Sequence, residues 1–123
     1  MRAFKKEDIS EINSWLLGRD IEPLDEIDIP KYGMIEPEVA AGFVCFTDTT
    51  TCFLEVFLSN PFANKRKVSQ SIMKIAKWGL RLASTANMKR CLIITNNRSL
   101  KRRAKSLGFG FKDCELGIMD FRH

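Results

Sequence analysis

The chain has 123 residues, of which 45% are hydrophobic and 28% are charged, and its formal net charge at pH 7 is +5. This composition is typical of one globular domain that needs no disulfide or metal, and it excludes low-complexity, repetitive and membrane-spanning classes, because every apolar run is far shorter than a bilayer span. No apolar segment follows the basic residues 1–6, so the sequence predicts no signal peptide.

The first elements in chain order are a short strand and a helix. Residues 1–4 form the candidate edge strand. Asp8, with Glu11 three residues later, has the pattern of a capping box, and an apolar stripe continues from there to Gly18. We therefore expect a helix that starts at Asp8 and ends at Gly18.

An acidic segment and a hairpin come next. Residues 19–38 contain three prolines and several acids, which favours irregular structure with a short helical turn and a short strand at 32–35. The apolar runs at 39–46 and 52–58 flank the polar turn 47–50, which predicts an antiparallel hairpin. Neither run alternates strictly, so both faces of the hairpin should be covered.

The second half of the chain predicts a crossover. Apolar residues recur at helical spacing from Val68 to Ala83, and the apolar run 91–95 predicts a buried strand. A helix between two strands makes those strands parallel neighbours. The last predicted elements are a basic helix at 98–106, ended by Gly108, and two closing strands at 109–112 and 116–121. The order β-α-β-β-β-α-β-α-β-β predicts a single α+β domain over residues 1–123 with a mixed sheet.

Charge is unevenly distributed along the chain. The acids lie mostly before Pro61, and a basic turn then leads into the long helix, whose first N–H groups and positive dipole end favour a phosphate. The asymmetry predicts an anionic ligand, either a phosphorylated cofactor or nucleic acid, and a solvated basic helix surface is the alternative. The candidate nucleic-acid contacts are the five cations of the last helix: Arg98, Lys101, Arg102, Arg103 and Lys105.

The four cysteines indicate a reducing environment. None belongs to a C-x-x-C pair, and the only histidine is the last residue, so the sequence predicts no structural zinc site and no other metal site. They are expected to be reduced core residues of a cytoplasmic protein, with Cys114 in a turn as the candidate reactive thiol. The four are Cys45, Cys52, Cys91 and Cys114.

Several short motifs follow one another in a particular order. They are Arg2 with Glu7-Asp8-Ile9, Ala41-Gly42-Phe43, Leu54-Glu55 with Pro61 six residues after the Glu, Asn97, and Leu107-Gly108-Phe109. Together with the order of the elements, they resemble the GNAT superfamily of N-acyltransferases over nearly the whole chain. The resemblance implies a GNAT-like mixed sheet, acetyl-CoA as cofactor and transfer of its acyl group to an amine.

The resemblance also implies roles for particular residues. Glu55, a carboxylate in an apolar strand, would be the general base, although it could instead face solvent or pair with a cation. Asn97 would contact cofactor, cap the last helix, or do both. The pantetheine arm and thioester would lie along residues 57–59, and the pyrophosphate at the turn 65–71. The implied cofactor contacts are Phe57, Leu58, Ser59, Lys65, Arg66, Lys67, Val68, Ser69, Gln70, Asn97 and Lys101.

Two departures from the family pattern favour a second hypothesis. The family carries (Gln/Arg)-x-x-Gly-x-(Gly/Ala) at the turn into the helix, where this chain has Asn64, Lys67 and Ser69. Many members have a tyrosine as general acid at the position of Ala104. The alternative is therefore a catalytically inactive GNAT-like basic module that binds nucleic acid or an acidic protein. A small domain without these glycines is also expected among phage-encoded proteins, and the short chain suggests a macromolecular acceptor.

Overall fold

Five strands form one mixed sheet in a computed structural model that describes residues 1–121. The strands stand in the sheet in chain order: β1 (Arg2–Ala3), β2 (Tyr32–Glu36), β3 (Ala40–Phe46), β4 (Thr51–Ser59) and β5 (Arg90–Leu92). The helices are α1 (Ile9–Leu17), α2 (Lys65–Thr85) and α3 (Arg98–Ser106), with short 3-10 turns at Lys6–Asp8 and Glu26–Asp28. The predicted α+β class is confirmed.

The pairing of the strands follows the predicted connections. Strands β1 to β4 pair antiparallel with their neighbours, and β4 pairs parallel with β5. The parallel pair is joined by α2, because a chain that runs twice in the same direction needs a crossover. The hairpin between β3 and β4 and the crossover helix are both where the apolar pattern predicted them.

The core consists of two apolar clusters, one on each face of the sheet. Side chains alternate across a strand, so β3 supplies Ala41 and Phe43 to one face and Val44 to the other. The α1-side cluster consists of Ile12, Trp15, Ile35, Ala41 and Phe43. The α2-side cluster consists of Val44, Cys52, Leu54, Ala76 and Ala83. Coverage of both faces explains why β3 is apolar without interruption.

The predicted capping box of α1 is wrong. The Asp8 carboxylate instead receives two hydrogen bonds from Arg2, at 2.8 and 2.7 Å, and one from the Lys5 N–H at 2.8 Å. Glu11 accepts from the backbone N–H of Glu38 at 3.2 Å. The 3-10 turn before α1 places Asp8 beside β1, where the nearest donors are those of Lys5 and Arg2. The hydrogen bonds from Arg2 hold the pKa of Asp8 below its ordinary value, against the opposing effect of burial.

Asp8→Asn is expected to lower the free energy of unfolding at pH 7 by about 1–3 kcal/mol, because the amide has no negative charge and only one acceptor oxygen for the donors of Arg2 and Lys5. A carboxyl with a lowered folded pKa stabilises the fold above its unfolded pKa, and this stabilisation is lost as pH falls through the folded pKa. The difference between wild type and variant should therefore be full at neutral pH and shrink below about pH 4. Urea unfolding of wild type and variant at pH 7 and below about pH 4 measures this difference in unfolding free energy, with the exposed Asp48→Asn as control. An equal difference at both values would contradict it.

The structure corrects the prediction for the C-terminal strands. The predicted strands at 109–112 and 116–121 are absent from the described chain, whose last regular element is α3. Gly110, Gly117 and the mainly polar run 112–115 interrupt the apolar residues there, and glycine weakens a strand. Because the two C-terminal strands are absent from residues 1–121, β5 is the edge strand of the sheet. This explains why β5 covers only Arg90–Leu92 instead of the predicted 91–95. It also explains why Ile94 is 64% exposed instead of buried.

None of the helices within residues 1–121 combines the length and the apolar character that crossing a membrane requires.

Candidate functional site

A β-bulge in β4 is the most distorted part of the sheet. Ala41 pairs with Leu58 and Phe43 pairs with Glu55, so β4 has one residue more than β3 between these two pairs. The bulge contains Val56, whose φ of 55° is a backbone conformation that a β-branched residue rarely adopts. Strain of this kind persists only where the surrounding structure holds it, and it concentrates at functional sites.

The bulge changes which face each β4 side chain occupies. Glu55 lies opposite Phe43 and therefore shares the α1 face, and Val56 packs on the same side. Phe57 packs with the α2-side cluster, and Leu58 returns to the α1 side. An unbroken strand would have put Val56 on the α2 side. The bulge thus places two successive side chains, one of them a carboxylate, on one face.

Gly42 makes room for the bulge from the neighbouring strand. A Cβ atom at Gly42 would lie 2.8 Å from the Phe57 ring and 2.8 Å from Cγ2 of Ile75. Both distances are shorter than real Cβ atoms show, and Ile75 is buried with 1% exposure. The absence of a side chain at Gly42 therefore allows Phe57 to lie against α2 just after the bulge.

Strands β4 and β5 separate next to the bulge. Their parallel ladder ends at the pair Phe53 and Leu92, and the chains diverge beyond it. A cavity of about 340 Å³ lies between them, lined on the β4 side by residues 54–57 and on the other side by residues 93–97 and Leu100. Glu55 is half-buried at this cleft and forms no ion pair within residues 1–121.

Glu55 has a neighbour across the hairpin in Cys45. Burial raises the pKa of the Cys45 thiol, and the negative charge of Glu55 and a hydrogen bond from the thiol to that carboxylate raise it further. The thiol therefore stays protonated at neutral pH. Within residues 1–121, Glu55 has no cationic partner in an ion pair.

The other cysteines differ in exposure. Cys52 and Cys91 face each other across β4 and β5, and burial, with the adjacent Cys52, raises the pKa of Cys91 to about 12. The Cys91 thiol therefore stays protonated at neutral pH and is unreactive. Cys114 is exposed, so it is not a core residue.

A second cavity adjoins the cleft and has a cationic wall. It measures about 470 Å³ and shares Phe57, Asn97 and Leu100 with the first cavity. Three cations line it, namely Arg19, Lys65 and Arg103. Other lining residues include Ser59, Asn60, Pro61 and Val68. We call the two adjoining cavities together the cleft: Glu55 lines the first of them and the three cations line the second.

Two of these cations are held in place by hydroxyl groups. Arg19 donates to the Ser59 hydroxyl at 2.9 Å and to its carbonyl at 3.2 Å. Arg103 Nε donates to the Ser69 hydroxyl at 3.1 Å, which joins α3 to α2. Each guanidinium keeps donors that these bonds do not use, so each can still bind an anion while its position is fixed.

The backbone at the start of α2 is less available than the sequence predicted. The Asn64 side chain accepts from the N–H groups of Arg66 at 2.9 Å and of Lys67 at 3.2 Å. These donors were expected to face a phosphate. An asparagine at the N-cap satisfies them from within the chain, so positive charge in the cleft comes mainly from side chains.

The structure brings together some of the predicted cofactor residues and leaves others outside. Five of them line the cleft: Phe57, Ser59, Lys65, Val68 and Asn97. Leu58 packs on the opposite face of the sheet, in the α1-side cluster. The exposed α2 residues Arg66, Lys67 and Gln70 lie outside the cleft lining. Ser69 also lies outside it and accepts a hydrogen bond from Arg103. The Lys101 ammonium lies 5.3 Å from the centre of the Phe111 ring.

Asn97 has a clear structural role. Its side chain accepts from the N–H of Leu100 at 3.0 Å and caps α3, as predicted. The same residue borders both cavities, so a contact with a ligand is compatible with capping.

Two of the three cations that line the cleft were not among the cofactor contacts predicted from the sequence. Arg19 lies in the irregular segment after α1, and only the fold brings it next to Ser59, which comes 40 residues later in the chain. Arg103 was assigned to a nucleic-acid surface because it belongs to a basic run. The spacing of Arg103 to the buried Ala104 and half-buried Leu100 indicates that it faces inward, a signal present in the helical periodicity.

No protein-family model matches the chain, and no curated protein matches its sequence. Solved structures do match its shape. An acetyltransferase from Trypanosoma brucei superposes with a TM-score of 0.71 at 11% identity, over 96% of both chains. A predicted acetyltransferase with acetyl-CoA from Clostridium acetobutylicum gives 0.63 at 17% identity, over 96% of this chain and 94% of the other. A GNAT family acetyltransferase from Streptococcus pneumoniae gives 0.61 at 12% identity, over 94% and 92%.

These likenesses confirm that the chain has the GNAT fold over nearly its whole length. At such low identities the similarity establishes the fold alone, because one fold carries many functions. The suggested phage origin stays a prediction.

Proposed function

We propose, from the premise of the GNAT fold, that this chain is an N-acyltransferase that moves the acyl group of acetyl-CoA to an amine. The observation that carries the proposal is the pair of adjoining cavities, one lined by Glu55 between the diverging strands and the other lined by the cations Arg19, Lys65 and Arg103. A carboxylate suits the acceptance of a proton, and the cations suit a phosphorylated cofactor.

The edge of β4 supports binding of an extended cofactor arm. Beyond Phe53 that edge has no ladder to β5, so backbone N–H and C=O groups of the bulged part of β4 face the cleft. Such groups need partners. The amide groups of a pantetheine arm are suitable ones, and residues 57–59 are where we place it.

Side chains, more than backbone, would hold the cofactor phosphates. Asn64 already occupies two N–H groups of the helix start. Arg19 and Arg103 each present a planar fork of donors that matches phosphate oxygens, and Lys65 adds a point charge. This arrangement explains how an anion could bind at a turn without glycines.

The chemistry assigns one task to Glu55. Acetyl-CoA, when bound, supplies the acyl group as a thioester. Glu55 takes a proton from the amine as the amine nitrogen forms its bond to the acyl carbon and the carbon–sulfur bond breaks. Ala104 has no proton to give, so the departing thiolate takes one from solvent. The acceptor is an amine on a small molecule or macromolecule, and we place the reaction in the cytoplasm.

Calorimetric titration with CoA and acetyl-CoA tests the proposal, and micromolar binding is expected. Lys65→Glu and Arg103→Glu should each weaken binding at least about tenfold, which corresponds to about 1.4 kcal/mol, because each variant replaces attraction for a phosphate by repulsion. Lys31→Glu, which makes the same charge change outside the cleft, is the matched control and should bind as wild type does.

Absence of binding up to millimolar cofactor would contradict the proposal. It would leave the second candidate, a GNAT-shaped binding module without catalysis, which two observations favour. Asn64 caps donors that a cofactor would use, and Ala104 replaces a general acid.

A further inference from the structure

A long part of the chain has no acidic residue. The 57 residues from 56 to 112 include 14 lysines and arginines and no aspartate or glutamate. All 15 acids lie before or after this span. The span comprises the end of β4, α2, β5 and α3, so the charge belongs to a defined part of the fold.

The two helices of this span display their cations to solvent. The exposed lysines and arginines of α2 are Lys65, Arg66, Lys67, Lys74, Lys77 and Arg81, and those of α3 are Arg98, Lys101, Arg102 and Lys105. None of them forms an ion pair within residues 1–121. Lys74, Lys77 and Arg81 recur at three- and four-residue spacing and therefore share one side of α2.

The helices are held on the same side of the sheet. Arg103 bonds to Ser69, and Leu107 and Phe109, just after α3, pack against the α2-side cluster. Helices α2 and α3 therefore cover the same face of the sheet. We define the basic surface as their exposed cations Lys67, Lys74, Lys77, Arg81, Arg98, Arg102 and Lys105.

We propose that the basic surface binds the sugar-phosphate backbone of double-stranded nucleic acid. Lys67 and Arg81 are 14 residues apart on α2, which spans about 21 Å, or roughly six base pairs of duplex. A row of unneutralised cations on that scale matches a regularly repeating phosphate chain. Contacts of this kind are independent of base sequence and strongly dependent on salt.

Two features favour a duplex over other polyanions. Every exposed residue of α2 and α3 is polar, so the surface lacks the apolar side chains with which a helix enters a membrane interface. Helices α2 and α3 also present no exposed aromatic for stacking on unpaired bases, because Trp78, their only aromatic, is half-buried against the α2-side cluster. The inference does not rest on acyl transfer, since the cleft uses other cations.

Fluorescence anisotropy with a labelled DNA duplex of about 20 base pairs tests the proposal at two salt concentrations, about 50 and 200 mM. We expect wild type to bind at low salt with a dissociation constant of about 1–100 μM or tighter, and to weaken steeply at high salt. Lys74→Glu/Arg81→Glu should bind at least about tenfold more weakly. The slope of log affinity against log salt concentration should become shallower by about 1.8, because about two phosphate contacts are lost and each contributes about 0.9.

Lys6→Glu/Lys31→Glu is the matched control, because it makes the same change of net charge outside the basic surface. It should bind duplex within about twofold of wild type. Equal losses in the two double variants, or no duplex binding by wild type at low salt, would overturn the proposal. Binding of poly-glutamate as tight as that of the duplex would also overturn it, in favour of an acidic protein partner. The Lys74→Glu/Arg81→Glu variant should titrate with CoA as wild type does, which separates this surface from the cleft.

Discussion

Glu55→Gln should slow acyl transfer by about 10²–10⁴-fold while leaving the affinity for CoA within about twofold. Glutamine keeps the size of the side chain and its place opposite Phe43 but cannot take a proton from the amine. The loss should therefore appear in kcat, and the limb of the pH profile that reports a catalytic base should disappear. Release of free thiol from acetyl-CoA with a panel of amines measures turnover, and calorimetry measures binding.

The exposed Glu22→Gln provides the control for this substitution, because it makes the same chemical change outside the cleft. Turnover by Glu55→Gln equal to that of this control would exclude Glu55 as the base. Loss of CoA binding together with turnover would show instead that Glu55 maintains the bulge. Wild type that binds CoA but acylates no amine would favour the module without catalysis.

Gly42→Ala should lower the free energy of unfolding by about 1–3 kcal/mol and weaken CoA binding by at least about tenfold. A methyl group at this position would lie too close to both Phe57 and Ile75, and Ile75 is fixed in the core. Relief of this overlap moves Phe57, which lines both cavities. Urea unfolding and calorimetric titration of the same preparation measure the two effects.

Gly117→Ala is the corresponding control, because no atom lies within 4 Å of a Cβ placed there. It should change the unfolding free energy by no more than about 0.5 kcal/mol and leave CoA binding unchanged. If Gly42→Ala unfolds and binds as this control does, the role given to Gly42 in supporting the bulge is wrong. A loss of stability without loss of CoA affinity would separate packing from the site.

Most of the fold could be predicted from local patterns. Apolar periodicity located α2 and the hairpin of β3 and β4, because burial of one helix face or of both strand faces imposes a period that a single sequence displays. Parallel pairing of β4 with β5 followed from the crossover. Asn97 as the cap of α3 also followed from local chemistry, since a cap and its helix are adjacent in the chain.

Other features could not be predicted because they depend on distant partners. The apolar residues of 109–121 resemble strands in isolation, but a strand forms only where a neighbour completes its ladder, and here β5 remains an edge. Asp8 has the local pattern of a cap, yet Arg2 and Lys5 provide its hydrogen bonds. The bulge at Val56 arises from the register between two strands, which no single segment contains.

By itself, the sequence determined the class of fold, the crossover, the basic second half and the identity of Glu55 as a carboxylate in an apolar strand. These properties depend on composition and on periods of a few residues. Only the tertiary structure decided that Glu55 lines the gap beside β5, next to the bulge at Val56, that Arg19 and Arg103 join Lys65 in the adjoining cavity, and that Asn64 caps the N–H groups at the start of α2. Those relations arise from packing between residues far apart in the chain, where geometry rather than residue type determines what lies side by side.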